Sequence, residues 1–191
     1  MITKKHIKEI ENLLNKEKII KYNLLQTSFD IACVKLELSN GNKYIAKYYI
    51  NKKKSFNAIN AEAENLKYLN KKFNFFPKII KFDSTYLIIE YIDNNKKCPN
   101  STNEDFLEAI LKIHSTHNDQ HGFMFNTQMG AIEQNNEFET SWSNFYASKR
   151  LNPIFELANS NYLMSQKTRN KIYYILNNIN NLIPDKPLPV L

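Results

Sequence analysis

Ile31-Ala-Cys-Val-Lys-Leu-Glu-Leu38 alternates apolar and polar side chains, Ser39-Asn-Gly-Asn42 follows, and Lys43-Tyr-Ile-Ala-Lys-Tyr-Tyr-Ile50 alternates again. Alternation places one set of side chains on each face of a sheet, and Asn-Gly tolerates the positive φ of a tight reversal. The pattern predicts a β-hairpin over residues 31–50. Before it, Ile2, Ile7, Ile10, Leu13 and Leu14 fall near helical spacing, which predicts an amphipathic helix over residues 2–18. After it, Ile59, Ala63, Leu66 and Leu69 share one face of a helix over 58–69. Pro77 closes the next loop; residues 78–82 and 86–92 read as a second strand pair around the turn Asp83-Ser-Thr85, the latter apolar enough to be central.

Residues 93–103 are polar and mark the best boundary. From Glu104 onward the pattern is helical, with Phe106, Ile110 and Ile113 as its expected buried face. Residues 115–140 read as loop, and 141–158 and 166–182 as two further helices. Strands followed by helices argue for an α+β fold rather than a doubly wound parallel sheet. The expected parts are a small lobe over residues 1–93, a twisted antiparallel sheet with one packed helix, and the beginning of a helical lobe over 94–191.

The 191 residues, 42% hydrophobic and 24% charged, have the composition of a globular protein able to bury a core without staples. No apolar run is long enough to span a bilayer, and the charged start does not resemble a secretion signal. Cys33 and Cys98 match no zinc or redox spacing, so a reducing cytoplasm is the expected setting. The net charge of +7 comes almost wholly from lysine, since Arg150 and Arg169 are the two arginines among 26 basic residues. Arginine is the residue most used for bidentate base and phosphate contacts, so a basic nucleic-acid module is the weaker reading. Lys52-Lys-Lys54, Lys71-Lys72 and Lys96-Lys97 read as solvated faces. His114, His117 and His121 lie at suggestive intervals, but Asn118-Asp-Gln120 and Gly122 interrupt any helix that would gather them on a metal. The expected state is a helix-terminal His114 and two solvated histidines.

A lysine on the returning strand, Lys47, precedes a helix glutamate and an apolar strand ending Glu90-Tyr91-Ile92. In protein-kinase-like sites a strand lysine holds the α- and β-phosphates and a helix glutamate pairs with it. Glu62 is the candidate partner, Glu64 the alternative, and Glu90, Tyr91 and Ile92 the candidate hinge for an adenine edge.

The same residues resemble the fructosamine (ketosamine) kinases, a branch of the aminoglycoside-phosphotransferase-like small-molecule kinases. Ile59-Asn-Ala-Glu62-Ala-Glu-Asn-Leu66 resembles the family's Phe-x-x-Glu-x-x-x-Leu helix, and Leu111-Lys-Ile-His114 its Leu-Ala-x-Leu-His helix end. Gly122-Phe123, Gly130 and Gln134-Asn135 follow in the family's order. Trp142, Phe145, Arg150, Leu151 and Pro153 resemble its Trp…Phe…Arg-Leu-x-Pro signature. The resemblance implies a protein-kinase-like fold, ATP and Mg²⁺ as cofactors, and phosphorylation of a sugar hydroxyl on a ketosamine or glycated lysine. It implies Lys47 on the phosphates, Glu62 orienting it, and Trp142 with Arg150 on the substrate side or shaping the lobe.

Two departures accompany it. The stretch Gln26-Thr-Ser-Phe-Asp-Ile31, where such kinases carry a glycine-containing turn over the nucleotide, has no glycine, and Ser28 is its candidate phosphate donor. The resemblance also covers roughly the N-terminal two-thirds of a family member, stopping before the His-Gly-Asp loop that supplies the catalytic Asp and metal-binding Asn. The expectation is therefore that no catalytic residue lies in these 191 residues, that the metal ligands fall beyond Leu191, and that activity needs a separately encoded C-terminal fragment. His117-Asn118-Asp119 is a loop rather than a substitute for that motif. Two alternatives stay open: a non-catalytic kinase fragment that at most binds nucleotide, and the nucleic-acid module. No nucleic-acid or membrane partner is otherwise expected.

Overall fold

The computed structural model describes residues 2–51, 56–93, 103–130, 132–161 and 163–184. Lys52, Lys53, Lys54, Lys96, Lys97, Cys98 and the apolar tail residues Leu188, Val190 and Leu191 lie outside the described residues. The chain divides into two compact units, Met1–Lys97 with Thr127–Glu133, and Cys98–Asn126 with Gln134–Leu191.

In the first unit, α1 (Lys4–Leu13) leads into β1 (Ile19–Ser28), β2 (Ile31–Leu38) and β3 (Lys43–Tyr49), then α2 (Ala58–Lys72), β4 (Ile79–Phe82) and β5 (Tyr86–Glu90). The strands form one antiparallel sheet in the order β1-β2-β3-β5-β4. The expected hairpin is β2–β3, closed by Ser39-Asn40-Gly41. Gly41 carries the positive φ of +85°, and its N–H donates to Leu38 O at 3.0 Å. Alternation gives the sheet two faces. Ala32, Val34, Leu36, Leu38, Ala46, Tyr48 and Ile88 pack on Ile10 and Leu14 of the α1 end. Ile31, Ile45, Leu87 and Ile89 pack on Ile59, Ala63 and Leu66 of α2.

Two expectations change in this unit, and one strand is unannounced by the sequence. Helix α1 stops at Leu13 rather than running to residue 18, because Asn15 and Lys16 take left-handed φ values of +57° and +67°. Strand β1 carries no clean alternation, being an exposed edge whose register slips twice, at Ile19/Lys21 and Leu24/Gln26. Strand β5 ends at Glu90, which leaves Tyr91 and Ile92 outside the ladder.

Helix α1 opens with a reciprocal cap: Thr3 Oγ1 accepts from His6 N–H at 3.2 Å, and His6 Nδ1 accepts from Thr3 N–H at 3.3 Å. The imidazole lies 4.5 Å from the Tyr48 ring, and burial holds its pKa below the usual histidine value, against a smaller opposing pull from Glu9. A protonated ring also loses the lone pair that accepts from Thr3. With the folded pKa below the unfolded one, the His6 contribution is complete above the unfolded value and is lost as pH falls through the folded value. A urea midpoint that drops between about pH 7.5 and pH 5.5, and drops less in His6→Gln, is the expected result. Identical pH slopes in the two proteins would refute it.

The second unit contains α3 (Glu104–His114), α4 (Trp142–Tyr146), a π-helical segment (Ala147–Leu151), α5 (Asn152–Ser160), α6 (Gln166–Asn177) and α7 (Ile179–Leu182). The expected single helix over 141–158 is thus interrupted, with Asn152 N–H donating to Ala147 O five residues back. No residue of α3 is buried, and Phe106, expected inside, is exposed. The expected loop over 115–140 contains a short hairpin, β6 (Thr127–Met129) and β7 (Ile132–Gln134), most of which belongs with the first unit. No helix among the described residues is long and apolar enough to cross a membrane.

Candidate functional site

The β2–β3 register sets Cys33 directly opposite Lys47, both on the sheet face that carries α2. The Tyr49 hydroxyl accepts from Ala58 N–H at 2.8 Å, which ties the first turn of α2 to the end of β3. Asn57 caps that turn by accepting from Asn60 N–H, and its own amide donates to Ser84 O at 2.9 Å. One turn further on, Glu62 meets Lys47: Lys47 Nζ donates to Glu62 Oε1. Their side chains keep 25% and 31% of their exposure, so the pair is sheltered but open to a ligand on one side.

A cavity of about 460 Å³ borders the pair. Its wall includes Ser28, Phe29, Cys33, Lys47, Glu62 and Gly130. Burial pushes the Cys33 thiol pKa up, with Lys47 pulling the other way. The β1–β2 turn over this cavity pairs Ser28 with Ile31 and reverses through Phe29 and Asp30 alone. Both take positive φ, +50° and +66°, as a two-residue type I′ hairpin demands. Asp30 suits that region, and it is anchored: its O accepts from Ile50 N–H at 2.8 Å and its Oδ1 from Asn51 Nδ2 at 3.1 Å. Phe29 pays about 1–2 kcal/mol for a conformation glycine adopts freely.

Of the residues expected at the site, Lys47, Glu62 and Ser28 border one cavity. Glu90, Tyr91 and Ile92 do not. Glu90 N–H donates to Lys78 O at 2.9 Å and its carboxylate accepts from Lys78 N–H at 3.3 Å. Lys35 Nζ sits 3.8 Å above the Tyr91 ring, and Ile92 is exposed. Glu90 and Tyr91 line a separate depression with Lys43 and Lys78. Lys47 pairs across the sheet with Leu87, so Glu90 begins three residues further along β5, about 10 Å at strand rise.

Trp142 and Arg150 belong to the second unit. The Trp142 ring packs near Phe145, Tyr146 and His121, at 5.9, 5.6 and 5.5 Å. His121 is therefore buried rather than solvated as expected, and its backbone exchanges two 2.8 Å hydrogen bonds with Glu139. No group of three or more metal-ligating side chains occurs among the described residues. Arg150 lies over the Phe145 ring at 4.6 Å, and its guanidinium donates to Asn135 O at 2.8 Å and to Asn136 Oδ1. These donors hold the 121–139 loop, whose Gly122 takes φ of +147° with no room for a Cβ beside Asn136 O, 2.7 Å away. Arg150→Ala is expected to lower the unfolding free energy by about 1–3 kcal/mol, because a buried amide and a carbonyl lose a charged donor. Arg150→Lys should recover only part, lacking the two-pronged geometry. Urea unfolding checks both, and an unchanged midpoint in Arg150→Ala would refute the role.

Sequence reasoning missed Phe29, Cys33 and Gln128 at the cavity. Hairpin register identifies Cys33 once the loop length is known, whereas Phe29 and Gln128 carry no periodic signal.

The comparisons with known proteins bear on the fold and the family. A crystal structure from Thermobifida fusca assigned as a fructosamine-3-kinase superposes with a TM-score of 0.82 at 19% identity, covering 96% of this chain and 64% of that one. A second, from Haemophilus somnus, gives 0.74 at 19% identity over 95% and 62%. The chain thus spans less than two thirds of either structure. A "probable ketoamine kinase" from Lactiplantibacillus plantarum is 32% identical over 68 residues, 36% of this chain and 24% of the relative. The fold of the neighbours is protein-kinase-like, and the fructosamine kinase family model matches residues 4–191. With a strand lysine paired to a helix glutamate on that fold and a match over nearly its whole length, this chain belongs to the fructosamine kinase family.

Proposed function

We propose that the first unit binds the phosphates of ATP and that the chain serves phosphoryl transfer to a sugar hydroxyl of a ketosamine or glycated amine. The observation that carries the reading is the Lys47–Glu62 ion pair on the wall of a cavity closed by a tight β-turn. Glu62 fixes the ammonium in place, so its remaining N–H donors can meet phosphate oxygens without a search through lysine rotamers. The pairing costs the glutamate its own freedom to act as a base. Ser28 offers a hydroxyl from the turn. Glu90, Tyr91 and Ile92 are proposed for the adenine edge, with the Ile92 N–H as a backbone group beyond the ladder. The offset of about 10 Å from Lys47 suits an extended nucleotide.

Mg²⁺ would neutralise charge on the transferring phosphate, and the acceptor hydroxyl's proton needs a carboxylate to receive it. Neither role is assigned to Lys47 or Glu62, which occupy each other. Trp142 and Arg150 are proposed as lobe-shaping residues, since their donors and rings are spent within their own unit.

Calorimetric titration of the chain with ATP, ADP and AMP tests the phosphate site. A lysine that grips the α- and β-phosphates predicts ATP and ADP binding alike, and AMP weaker by about tenfold or more. No ATP binding, or AMP as tight as ATP, would overturn the reading.

A further inference from the structure

Phe29 is an unexpected residue for its place. It stands in the left-handed region at the first central position of the β1–β2 turn, where glycine would be free of strain, and the residue is 58% exposed. Strain of this kind persists when something else fixes the residue. The ring has one specific seat. It rests against Gly130, at the β6–β7 turn, so closely that a Cβ added there would lie 2.8 Å from Phe29 Cζ and 3.1 Å from Cε2. Gly130 itself takes φ of +61°. Phe29 and Gly130 both border the cavity that holds Lys47, Glu62 and Cys33. The ring thus bridges two turns across the rim of one cavity, and all these residues lie in the same compact unit.

We infer that Phe29 is a latch: its ring, seated on Gly130, closes the phosphate cavity, and the cavity opens when the ring lifts. The exposed face of the ring is what lets it leave without unpacking the core, and the missing side chain at Gly130 is what lets it return. The latch replaces the flexibility that glycines give such a turn elsewhere. It rests on the proposed nucleotide site only for what the cavity admits; the closure itself is a property of the turn.

Cys33 supplies a readout that involves no nucleotide. In a Cys98→Ser background, the rate of Cys33 reaction with 4,4′-dithiodipyridine reports the open fraction. Phe29→Ala is expected to raise that rate about tenfold or more, since the closed state is then lost. Gly130→Ala should raise it too, because the new methyl occupies the seat. The two changes should not add: once the ring is absent, Gly130→Ala has nothing to displace, and the double variant should react like Phe29→Ala within about twofold. Rapid-mixing measurements with a fluorescent ATP analogue should show both association and dissociation faster in Phe29→Ala. A Cys33 rate within about twofold of the parent in Phe29→Ala overturns the latch. So does a faster rate matched by equal loss of amide protection throughout β2 and β3, which would mean general loosening. Should Phe29→Ala speed the thiol reaction while no nucleotide binds any variant, the latch stands and the nucleotide reading falls.

Discussion

Lys47→Ala is expected to weaken ADP binding by about tenfold to a hundredfold, the loss that accompanies removal of charged hydrogen bonds worth about 1.5–3 kcal/mol. Two effects act in the same direction. The phosphates lose the ammonium, and Glu62 is left facing them with its own negative charge. The fold should hardly notice. The pair is partly exposed, and ion pairs of that kind contribute about 0–1 kcal/mol to stability, so the thermal midpoint should stay close to wild type. Glu62→Gln should fall between the two proteins, because the amide still positions Lys47 but no longer holds it by charge. ADP affinity in Lys47→Ala within about twofold of wild type would remove Lys47 from the site.

The largest stability effect is expected at Ile10→Ala. Helix α1 has ten residues, too few to hold together on propensity alone. Its attachment to the sheet runs through one fully buried side chain, Ile10, with Leu14 just beyond and the Tyr86 hydroxyl donating to Glu9 at the side. Truncating a buried isoleucine costs about 2–5 kcal/mol, and here the cavity would open between helix and strands that cannot close on it. Urea unfolding should show the loss, while Leu111→Ala, at an exposed position of α3, should change little. An Ile10→Ala midpoint equal to wild type would mean that α1 does not brace the sheet.

The strand–turn–strand alternation of residues 31–50 and the helix at 58 are legible because the hairpin has one fully buried face and one part-buried face with lysines among its apolar residues, and the helix one buried stripe. Order along the chain offers Glu62 and Glu64 as partners for Lys47, the resemblance of the helix motif singles out Glu62, and Glu62 is the one that meets Lys47 in the fold. What stayed hidden had no periodicity to show. Strand β1 is wet on most of its length and changes register twice, so its apolar residues fall out of step. The Phe29–Asp30 turn lacked the glycine that normally signals such a reversal. The sequence around His121 reads as solvated because its cover, Trp142, lies 21 positions further on. Gly130 belongs to the family pattern in the sequence, but its partner, Phe29, lies 101 positions earlier, and only the fold brings the two together.

The π-helical segment at Ala147–Leu151 has a bearing on how this chain tolerates change in its gene. A turn closed by bonds five residues back holds one residue more than an α-helical turn, so the extra residue is absorbed where it stands and the helix beyond keeps its facing. Removing a single codon within 147–149 is expected to restore regular α-helix and leave Phe155, buried and edge-on to Tyr173 at 4.9 Å, on the same side. The same deletion inside α5 ahead of Phe155 would turn that ring by about 100°. This stretch is thus a place where the gene can lose a codon that a regular helix could not spare.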